Sequence, residues 1–339
     1  SNCLSVLPKA TPLGRKRQID QHSCNLDYSC VKGFCPSFVS VLNAVPKQRT
    51  AEDNIEILFE PLPAVSLPDL TRPWNTVVSG VGGTGVLTVT ALIAMAAHIE
   101  KKGCATLNQS GLAQKFGAVV SHVRIAQQQE DIKAVRVPAG EADLLLGCDL
   151  VVSTGYDTMG KTAIGRTHAI INDAALPTAA FIHNPDAELP TATMRAHIEE
   201  QTGATNVVFV NATEIAEQLL GDSLYVNLFL LGVAFQQGKI PVSAAALEAA
   251  IELNGKSTAA NQKALLMGRR YAVWPDRVLA MLPSSGSEQA DIPTIEALMD
   301  DRMQRLTRYQ SARLAEHYRQ EVEAVRAIDP HAEQAESIT

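Results

Sequence analysis

Asn75-Thr-Val-Val-Ser-Gly80-Val-Gly-Gly-Thr-Gly85 joins a short apolar stretch to a cluster of four glycines. The stretch that ends at Gly80 has the composition of a buried strand, and the apolar run from Val86 to Lys101, without proline or glycine, is typical of a helix. Glycines spaced G-x-G-x-x-G between a strand and a helix can present backbone N–H groups to a phosphate. These residues predict a strand, turn and helix that lead, in a βαβ arrangement, to a next strand at Cys104–Leu107.

Short apolar runs and longer helical patterns alternate after this opening. Further strands are predicted at His122–Ile125, Leu150–Ser153, Ala169–Asn172 and Val207–Val210, and helices at Thr213–Leu220, Ser223–Gln237, Ser243–Leu253 and Ala259–Tyr271. The alternation indicates an α/β fold, Rossmann-like, with a doubly wound, mostly parallel sheet covered on both faces. An irregular cysteine-rich segment precedes it, and a helical C-terminal extension follows it.

Changes in composition suggest four parts of the chain. Residues 1–42 lack clear periodicity and hold four cysteines, so we interpret them as an iron–sulfur ligand segment that a metal centre would order. Residues 43–73 carry five prolines and resemble a linker. Residues 74–274 form the Rossmann-like domain. Residues 275–339 carry charged amphipathic helices, which we interpret as the start of a following, truncated domain.

The overall composition is that of a globular protein, with 46% hydrophobic and 19% charged residues and a mean hydropathy of +0.02. The apolar stretches are shorter than the roughly 20 residues that a membrane span needs. No secretory leader is visible, so we expect a cytoplasmic location, with neither a membrane nor a nucleic acid as partner. The chain opens at Ser1 instead of Met, so we expect it to be part of something longer.

Four cysteines lie close together near the start of the chain: Cys3, Cys24, Cys30 and Cys35. The spacing differs from the paired C-x2-C of a zinc ribbon, whereas the ending Cys35-Pro36 is a ferredoxin feature. Four thiolates would complete a [4Fe-4S] site, and zinc remains the alternative. Residues 1–50 hold seven Lys/Arg against two Asp/Glu, a positive surplus that would favour an acidic electron carrier. Cys104 and Cys148 stand alone and are assigned no role.

The glycine turn is the candidate ligand site, and its predicted binding residues are Gly80, Gly82, Gly83, Thr84 and Gly85. A nicotinamide site would carry an acid near Leu107–Ser110 to hold the ribose, and none is present, so NAD is the less favoured ligand. The alternative is that the glycines only permit close packing of strand and helix. Gln114 and Lys115 follow in a loop expected at the carboxyl end of the sheet, where Lys115 would pair with an anion or be solvated.

These motifs together resemble a known family. The segment Ile19-Asp-Gln-His-Ser-Cys24-Asn-Leu-Asp-Tyr-Ser-Cys30-Val-Lys-Gly-Phe-Cys35-Pro-Ser-Phe38 is similar to the cluster segment of the fused indolepyruvate ferredoxin oxidoreductases. The glycine turn, the loop Gly111-Leu-Ala-Gln-Lys-Phe-Gly117 and the segment Gly221-Asp-Ser-Leu-Tyr-Val-Asn227 look like the gamma domain of that family. The sequence departs from the family pattern at Phe116-Gly117, where a glycine pair is expected.

The resemblance implies oxidative decarboxylation of an aryl or other 2-oxo acid with coenzyme A, giving an acyl-CoA, CO2 and electrons for ferredoxin. It implies a [4Fe-4S] cluster on the four cysteines and coenzyme A near the glycine turn, with Gln114 and Lys115 beside it. Thiamine diphosphate and Mg²⁺ would bind elsewhere, because the nearest approach to their motif here is Gly221-Asp222-Ser223. The expected partners are the remaining domains of the parent enzyme, ferredoxin, and a second copy in a homodimer.

A different class of function is also consistent with the residues. In it, zinc orders the cysteine segment, the glycine turn binds nothing, and the chain is a structural or interaction module. No histidine or aspartate has a spaced partner that would form a catalytic pair, so we nominate no catalytic residue. Alone, the chain is expected not to turn over substrate.

Overall fold

The computed structural model describes residues 6–11, 14–19, 59–110, 117–174, 189–282 and 294–328. The chain divides into two compact units, Ser1–Ser5 with Asp20–Pro283, and Val6–Ile19 with Ser284–Thr339. Six of the predicted site residues lie outside the described residues: Cys3, Cys24, Cys30, Cys35, Gln114 and Lys115. Their roles therefore stay predictions.

The described strands are β1 (Val6–Thr11), β2 (Gly14–Ile19), β3 (Trp74–Val81), β4 (Gly103–Ser110), β5 (Ala118–Ala126), β6 (Leu144–Gly147), β7 (His168–Asn172) and β8 (Val207–Val210). The described α-helices are α1 (Val86–Ile99), α2 (Leu150–Ser153), α3 (Tyr156–Met159), α4 (Thr191–Thr202), α5 (Ala212–Ile215), α6 (Val226–Gln236), α7 (Ala244–Asn254), α8 (Thr258–Val273), α9 (Pro275–Ala280), α10 (Ile295–Tyr309) and α11 (Ala312–Ile328). A π-helical turn, Ala216–Leu220, extends α5, and 3-10 turns occupy Gln129–Asp131, Ala204–Asn206 and Ser223–Tyr225.

Strands β3 to β8 form one sheet in the order β4-β5-β3-β6-β7-β8. Strands β3, β6, β7 and β8 are parallel, which confirms a mostly parallel α/β sheet, while β5 runs antiparallel to both β3 and β4. The predicted βαβ arrangement is wrong in one respect, because β4 does not pair with β3. The short connection between Ser110 and Ala118 lets β5 fold back along β4, and β5 then occupies the place next to β3.

The predicted strand at Leu150–Ser153 is also wrong, because these residues form α2. The strand is instead β6, which ends at Gly147. The Asp149 side chain accepts a hydrogen bond of 2.8 Å from the backbone N–H of Val152, and this cap starts a helix despite the β-branched residues that follow. The apolar run from Leu144 to Ser153 therefore contains both the strand β6 and the helix α2, and the hydrogen bond between Val152 and Asp149 marks where the helix begins.

Alternate residues of the sheet belong to two different cores, as expected for strands buried on both faces. Val78, Leu146 and Ile170 face a core formed with α1 and the helices α5 to α9. Leu145 and Ile171 face a second core formed with α2, α3 and α4. The sheet is therefore covered on both sides, as predicted.

Helices α6 and α8 approach each other so closely that two glycines are required. A Cβ atom on Gly232 would collide with the backbone oxygen of Leu265, and one on Gly268 with the backbone oxygen of Phe229. Residues 59–73 run along this side of the unit without regular structure: Gln236 donates a hydrogen bond of 2.8 Å to the carbonyl of Pro63.

The smaller unit contains the antiparallel hairpin β1–β2 and the helices α10 and α11. The two helices share a small core of Ile295, Met299 and Val322, and Arg326 of α11 pairs with Glu296 of α10 at 3.0 Å. The predicted charged amphipathic helices are thus present. Among all the described helices, none is both long and apolar enough to cross a membrane.

Candidate anion-binding turn

The glycine turn follows β3 at the carboxyl edge of the parallel strands and leads directly into α1. Gly80 lies at the base of the turn, where an added Cβ would come within 2.7 Å of Val86 Cγ2 and 3.0 Å of Cys148 Cβ. Gly80 therefore serves the packing of strand against helix. This contact agrees with the packing alternative for Gly80, whose predicted contact with a ligand stays a prediction.

Gly83 and Gly85 have a different role, because their φ angles are +94° and +95°. Only glycine adopts such angles without strain. Among the residues that the structure describes, a Cβ added to Gly83 would meet no atom within 4 Å. These glycines shape a turn whose backbone a ligand could approach closely.

Several backbone N–H groups are available at this turn. Within the described ranges, the N–H groups of Gly83, Gly85, Val86 and Leu87 donate no hydrogen bond, while the N–H of Thr88 bonds to the carbonyl of Gly85 at 3.0 Å. The first turn of α1 carries no acidic side chain. Since the N-terminus of a helix bears partial positive charge, the arrangement favours an anion such as a phosphate.

Asn227 holds the turn from outside, a role that the sequence interpretation missed. Its side-chain amide donates a hydrogen bond of 2.8 Å to the carbonyl of Thr84, and the residue is almost fully buried. Thr84 itself donates from its hydroxyl to the carbonyl of Val81 at 2.8 Å. The predicted site residue Thr84 therefore uses its side chain to shape the turn. Asn227 ends the segment Gly221–Asn227, whose resemblance to the gamma domain of the family was the one signal in the sequence for this contact.

The strand beside β3 on this side is β5, and the two strands bring Gly117 to the turn. The N–H of Gly82 donates to the carbonyl of Gly117 at 2.9 Å. Gly117 closes the loop in which Gln114 and Lys115 were predicted to bind a ligand. Asn108, at the end of β4 where a ribose-binding acid was sought, lies on a strand that β5 separates from β3. A residue at this position is thus one strand further from the turn than in a βαβ unit.

His122 and the two lone cysteines, Cys104 and Cys148, lie in partly or fully buried surroundings. Burial and the nearby Lys161 and Arg136 cations lower the pKa of His122 to about 4, and its Nε2 lies 2.9 Å from Gln109 Oε1. Burial raises the pKa of the Cys148 thiol and raises that of Cys104 to about 11. Throughout the described part of the chain, no group of three or more His, Cys, Asp or Glu side chains could hold a metal ion.

A buried carboxylate, Asp143, lies at the amino ends of the parallel strands, opposite the glycine turn. Its two oxygens accept hydrogen bonds of 3.0 and 2.7 Å from Arg72, 3.1 Å from Arg166 Nε and 2.9 Å from the N–H of Asn75. Asp143 is 1% exposed. The contact fixes the start of β3 to the start of β6, far from the turn along the strands, so we interpret it as structural.

The mixed sheet with a glycine turn at its carboxyl edge defines a Rossmann-like α/β domain. Residues 75–271, more than half of the chain, match the family described as Pyruvate ferredoxin/flavodoxin oxidoreductase, and the chain belongs to this family. It is 31% identical over 205 residues to the indolepyruvate oxidoreductase subunit IorB of Archaeoglobus fulgidus, covering 59% of this chain and 95% of that one. The corresponding subunit of Thermococcus kodakarensis is 26% identical over 204 residues, covering 59% and 96%.

Two solved structures are similar in part. The gamma subunit of a keto/oxoacid ferredoxin oxidoreductase from Geobacter sulfurreducens is 19% identical with a TM-score of 0.41, covering 59% of this chain and 98% of that one. A 2-oxoglutarate:ferredoxin oxidoreductase from Magnetococcus marinus, with 2-oxoglutarate, coenzyme A and succinyl-CoA bound, is 16% identical with a TM-score of 0.44, covering 60% and 31%.

Proposed function

We propose that this chain is the iron–sulfur and coenzyme A side of a 2-oxoacid:ferredoxin oxidoreductase that acts on indolepyruvate or a related aryl pyruvate. Membership of the oxidoreductase family carries the proposal, and the relatives named as indolepyruvate oxidoreductase subunits support the substrate class. The parent enzyme would convert the 2-oxo acid and coenzyme A to an acyl-CoA and CO2 and pass two electrons to ferredoxin.

Coenzyme A is the ligand that we propose for the glycine turn. The N–H groups of Gly83, Gly85 and Val86 donate no hydrogen bond to another described residue and would fit a phosphate, and no described atom lies within 4 Å of a Cβ added at Gly83. The position of Asn108 away from the turn supports a ligand that needs no ribose-binding acid there. Gln114 and Lys115 remain proposed contacts, because their loop ends at Gly117 beside the turn.

The cysteine segment is proposed to hold a [4Fe-4S] cluster through Cys3, Cys24, Cys30 and Cys35. The support is the sequence pattern, since thiolates are the usual ligands of such clusters and the last cysteine precedes a proline. Thiamine diphosphate, bound to other parts of the enzyme, would supply the carbanion chemistry. The role of this chain would be to bind coenzyme A and carry electrons.

Titration calorimetry with coenzyme A tests the turn. Gly83→Ala places a methyl group where the ligand would lie and should weaken binding at least about tenfold, a loss of roughly 1.4 kcal/mol. Gly165→Ala is the matched control, because Gly165 also has a positive φ, +76°, and no described atom lies within 4 Å of its Cβ position. Equal affinities of the two variants, or no binding by the wild type, would contradict the assignment. An NADH titration tests the less favoured ligand.

Anaerobic iron and sulfide analysis tests the cluster. About four irons per chain and an absorption band bleached by dithionite, both lost in Cys30→Ser, are expected. A stable zinc site without iron uptake would instead favour a structural module.

A further inference from the structure

Lys239 and His168 form a contact between two bases. The Lys239 Nζ atom lies 3.1 Å from His168 Nε2, and no other described residue makes a polar contact with this amine. A lysine amine normally pairs with a carboxylate or remains in water. Lys102, for comparison, bonds to Glu100 at 2.7 Å and to the carbonyl of Pro241 at 2.7 Å. Within the described part of the chain, the Lys239 amine therefore has no anion beside it and faces a group that can take a proton from it.

The fold fixes the backbone of both residues. His168 is the first residue of β7, and its N–H donates to the carbonyl of Asp143 at 3.0 Å. Lys239 follows the end of α6, where its N–H donates to the carbonyl of Ala234 at 2.9 Å, and the next residue, Ile240, is fully buried. Both side chains are partly buried, so the contact lies at the boundary between the core and the solvent.

These surroundings favour the uncharged form of both groups. Burial lowers the pKa of the Lys239 amine, because an ammonium ion loses hydration there. Burial and the Lys239 cation lower the pKa of His168, against the Asp143 carboxylate, which raises it. At neutral pH, His168 is therefore an uncharged imidazole that can accept a proton. A larger fraction of Lys239 is the neutral amine than in a solvated lysine, and the neutral amine is the nucleophilic form.

We propose that Lys239 is a site of reversible carbamate formation with CO2, with His168 as the base. The lone pair of Nζ attacks the carbon of CO2, so that an N–C bond forms while one C–O double bond becomes a single bond to a negatively charged oxygen. The proton that leaves Nζ moves to His168 Nε2, 3.1 Å away. The product is a carbamate anion beside an imidazolium cation, so atoms and charge balance without a further reactant.

The size and charge of CO2 suit this position. CO2 is small and uncharged, so it can reach a partly buried amine without a binding site for a large or charged molecule. After the reaction, the contact between two bases becomes one between an anion and a cation, and such charge-assisted hydrogen bonds are about twice as strong as neutral ones. CO2 is also a product of the reaction proposed above. The inference nevertheless goes beyond that function, and its test requires neither coenzyme A nor a 2-oxo acid.

¹³C NMR of the full chain in ¹³C-bicarbonate buffer detects a carbamate, and trapping with triethyloxonium followed by peptide mass spectrometry locates it. In the wild type, the trapped carbamate should be on Lys239. Lys239→Arg should abolish it, and His168→Gln should lower its fraction at least about tenfold, because glutamine accepts a hydrogen bond from the ammonium but takes up no proton. Lys133→Arg is the control: Lys133 is exposed and its amine donates to the carbonyl of Glu130 at 2.6 Å, so the carbamate on Lys239 should be unchanged.

An NMR titration of His168 gives a second readout. A carbamate on Lys239 replaces a cation by an anion, so the pKa of His168 should rise when bicarbonate replaces chloride at the same ionic strength, in the wild type but not in Lys239→Arg. A wild type whose Lys239 is not trapped, or is trapped no more than the exposed Lys133, overturns the proposal whatever the variants do. An undiminished carbamate in folded His168→Gln, or an unchanged titration of His168, also overturns it.

Discussion

Replacing Asp143 by asparagine tests whether the hydrogen bonds of this buried carboxylate, at the start of β3 and β6, stabilise the fold. The carboxylate accepts four hydrogen bonds, two at each oxygen: Oδ1 bonds to Arg72 and Arg166, and Oδ2 to Arg72 and the N–H of Asn75. Asparagine has nearly the same shape but only one acceptor oxygen. In either orientation its NH2 group faces two donors, so two of the four hydrogen bonds are lost.

The magnitude follows from which hydrogen bonds are lost. If the oxygen stays with Arg72 and Arg166, the buried N–H of Asn75 loses its acceptor, at about 1–3 kcal/mol. If it stays with Asn75, two charge-assisted bonds are lost, but the Arg72 and Arg166 side chains are 53% and 31% exposed, so water compensates them in part. We therefore expect Asp143→Asn to lower the free energy of unfolding by about 2–4 kcal/mol, relative to a surface substitution.

Thermal and urea unfolding measure this effect. For a unit of this size, the loss should lower the melting temperature by roughly 5–10 °C. Asp157→Asn is the control, because Asp157 is an exposed acid on α3 and its loss should change stability by less than about 0.5 kcal/mol. If the two variants unfold alike, the Asp143 contacts do not contribute to stability as described.

Three further substitutions test separate contacts. Gly268→Ala should destabilise the chain by about 1–3 kcal/mol in urea unfolding, although alanine favours helix, because the methyl group meets the backbone of α6; a stabilised variant would show that α6 and α8 are not in close contact. Asn227→Ala should lower the free energy of unfolding by about 1 kcal/mol and weaken coenzyme A binding, because the carbonyl of Thr84 loses its hydrogen bond. Unchanged urea unfolding and unchanged calorimetric affinity would show that Asn227 does not hold the turn. The pKa of His122 is lowered from 6.5 to about 4, so the unfolded chain binds the proton more readily. Stability should fall as pH drops from about 6.5 to 4, and His122→Gln should remove that part of the dependence; an NMR titration of His122 with an unshifted midpoint would contradict it.

The sequence predicted the elements whose signals are local. The helix from Val86 and the helices after residue 212 are present because long apolar segments without an internal proline specify them. Of these four helices only α7 has a side-chain cap, in which Ser243 accepts a hydrogen bond from the N–H of Ala246. The strand and helix around Leu150 were confused because both are short and apolar, and a single capping contact decides between them.

Long-range pairing was the part that the sequence could not specify. The residues of β5 do not by themselves indicate that it runs antiparallel between β3 and β4, since strand order depends on contacts between residues that are far apart in the chain. For the same reason, the glycine turn could be predicted from its spacing, whereas the hydrogen bond that Asn227, distant in sequence, donates to Thr84 could not. The charge network of Asp143 likewise joins residues that are far apart in the chain.

The antiparallel insertion of β5 has a consequence for the order of assembly. Strands β4 and β5 are separated by a short connection, so their pairing closes a small loop at little cost in chain entropy. The pairing of β3 with β6, in contrast, closes a loop of more than 60 residues. We expect the β4–β5 ribbon to be a kinetic template on which β3 then docks. The exposed edge of β4 would therefore exist before the rest of the sheet is complete. Refolding at high protein concentration should then lead to aggregation through this edge.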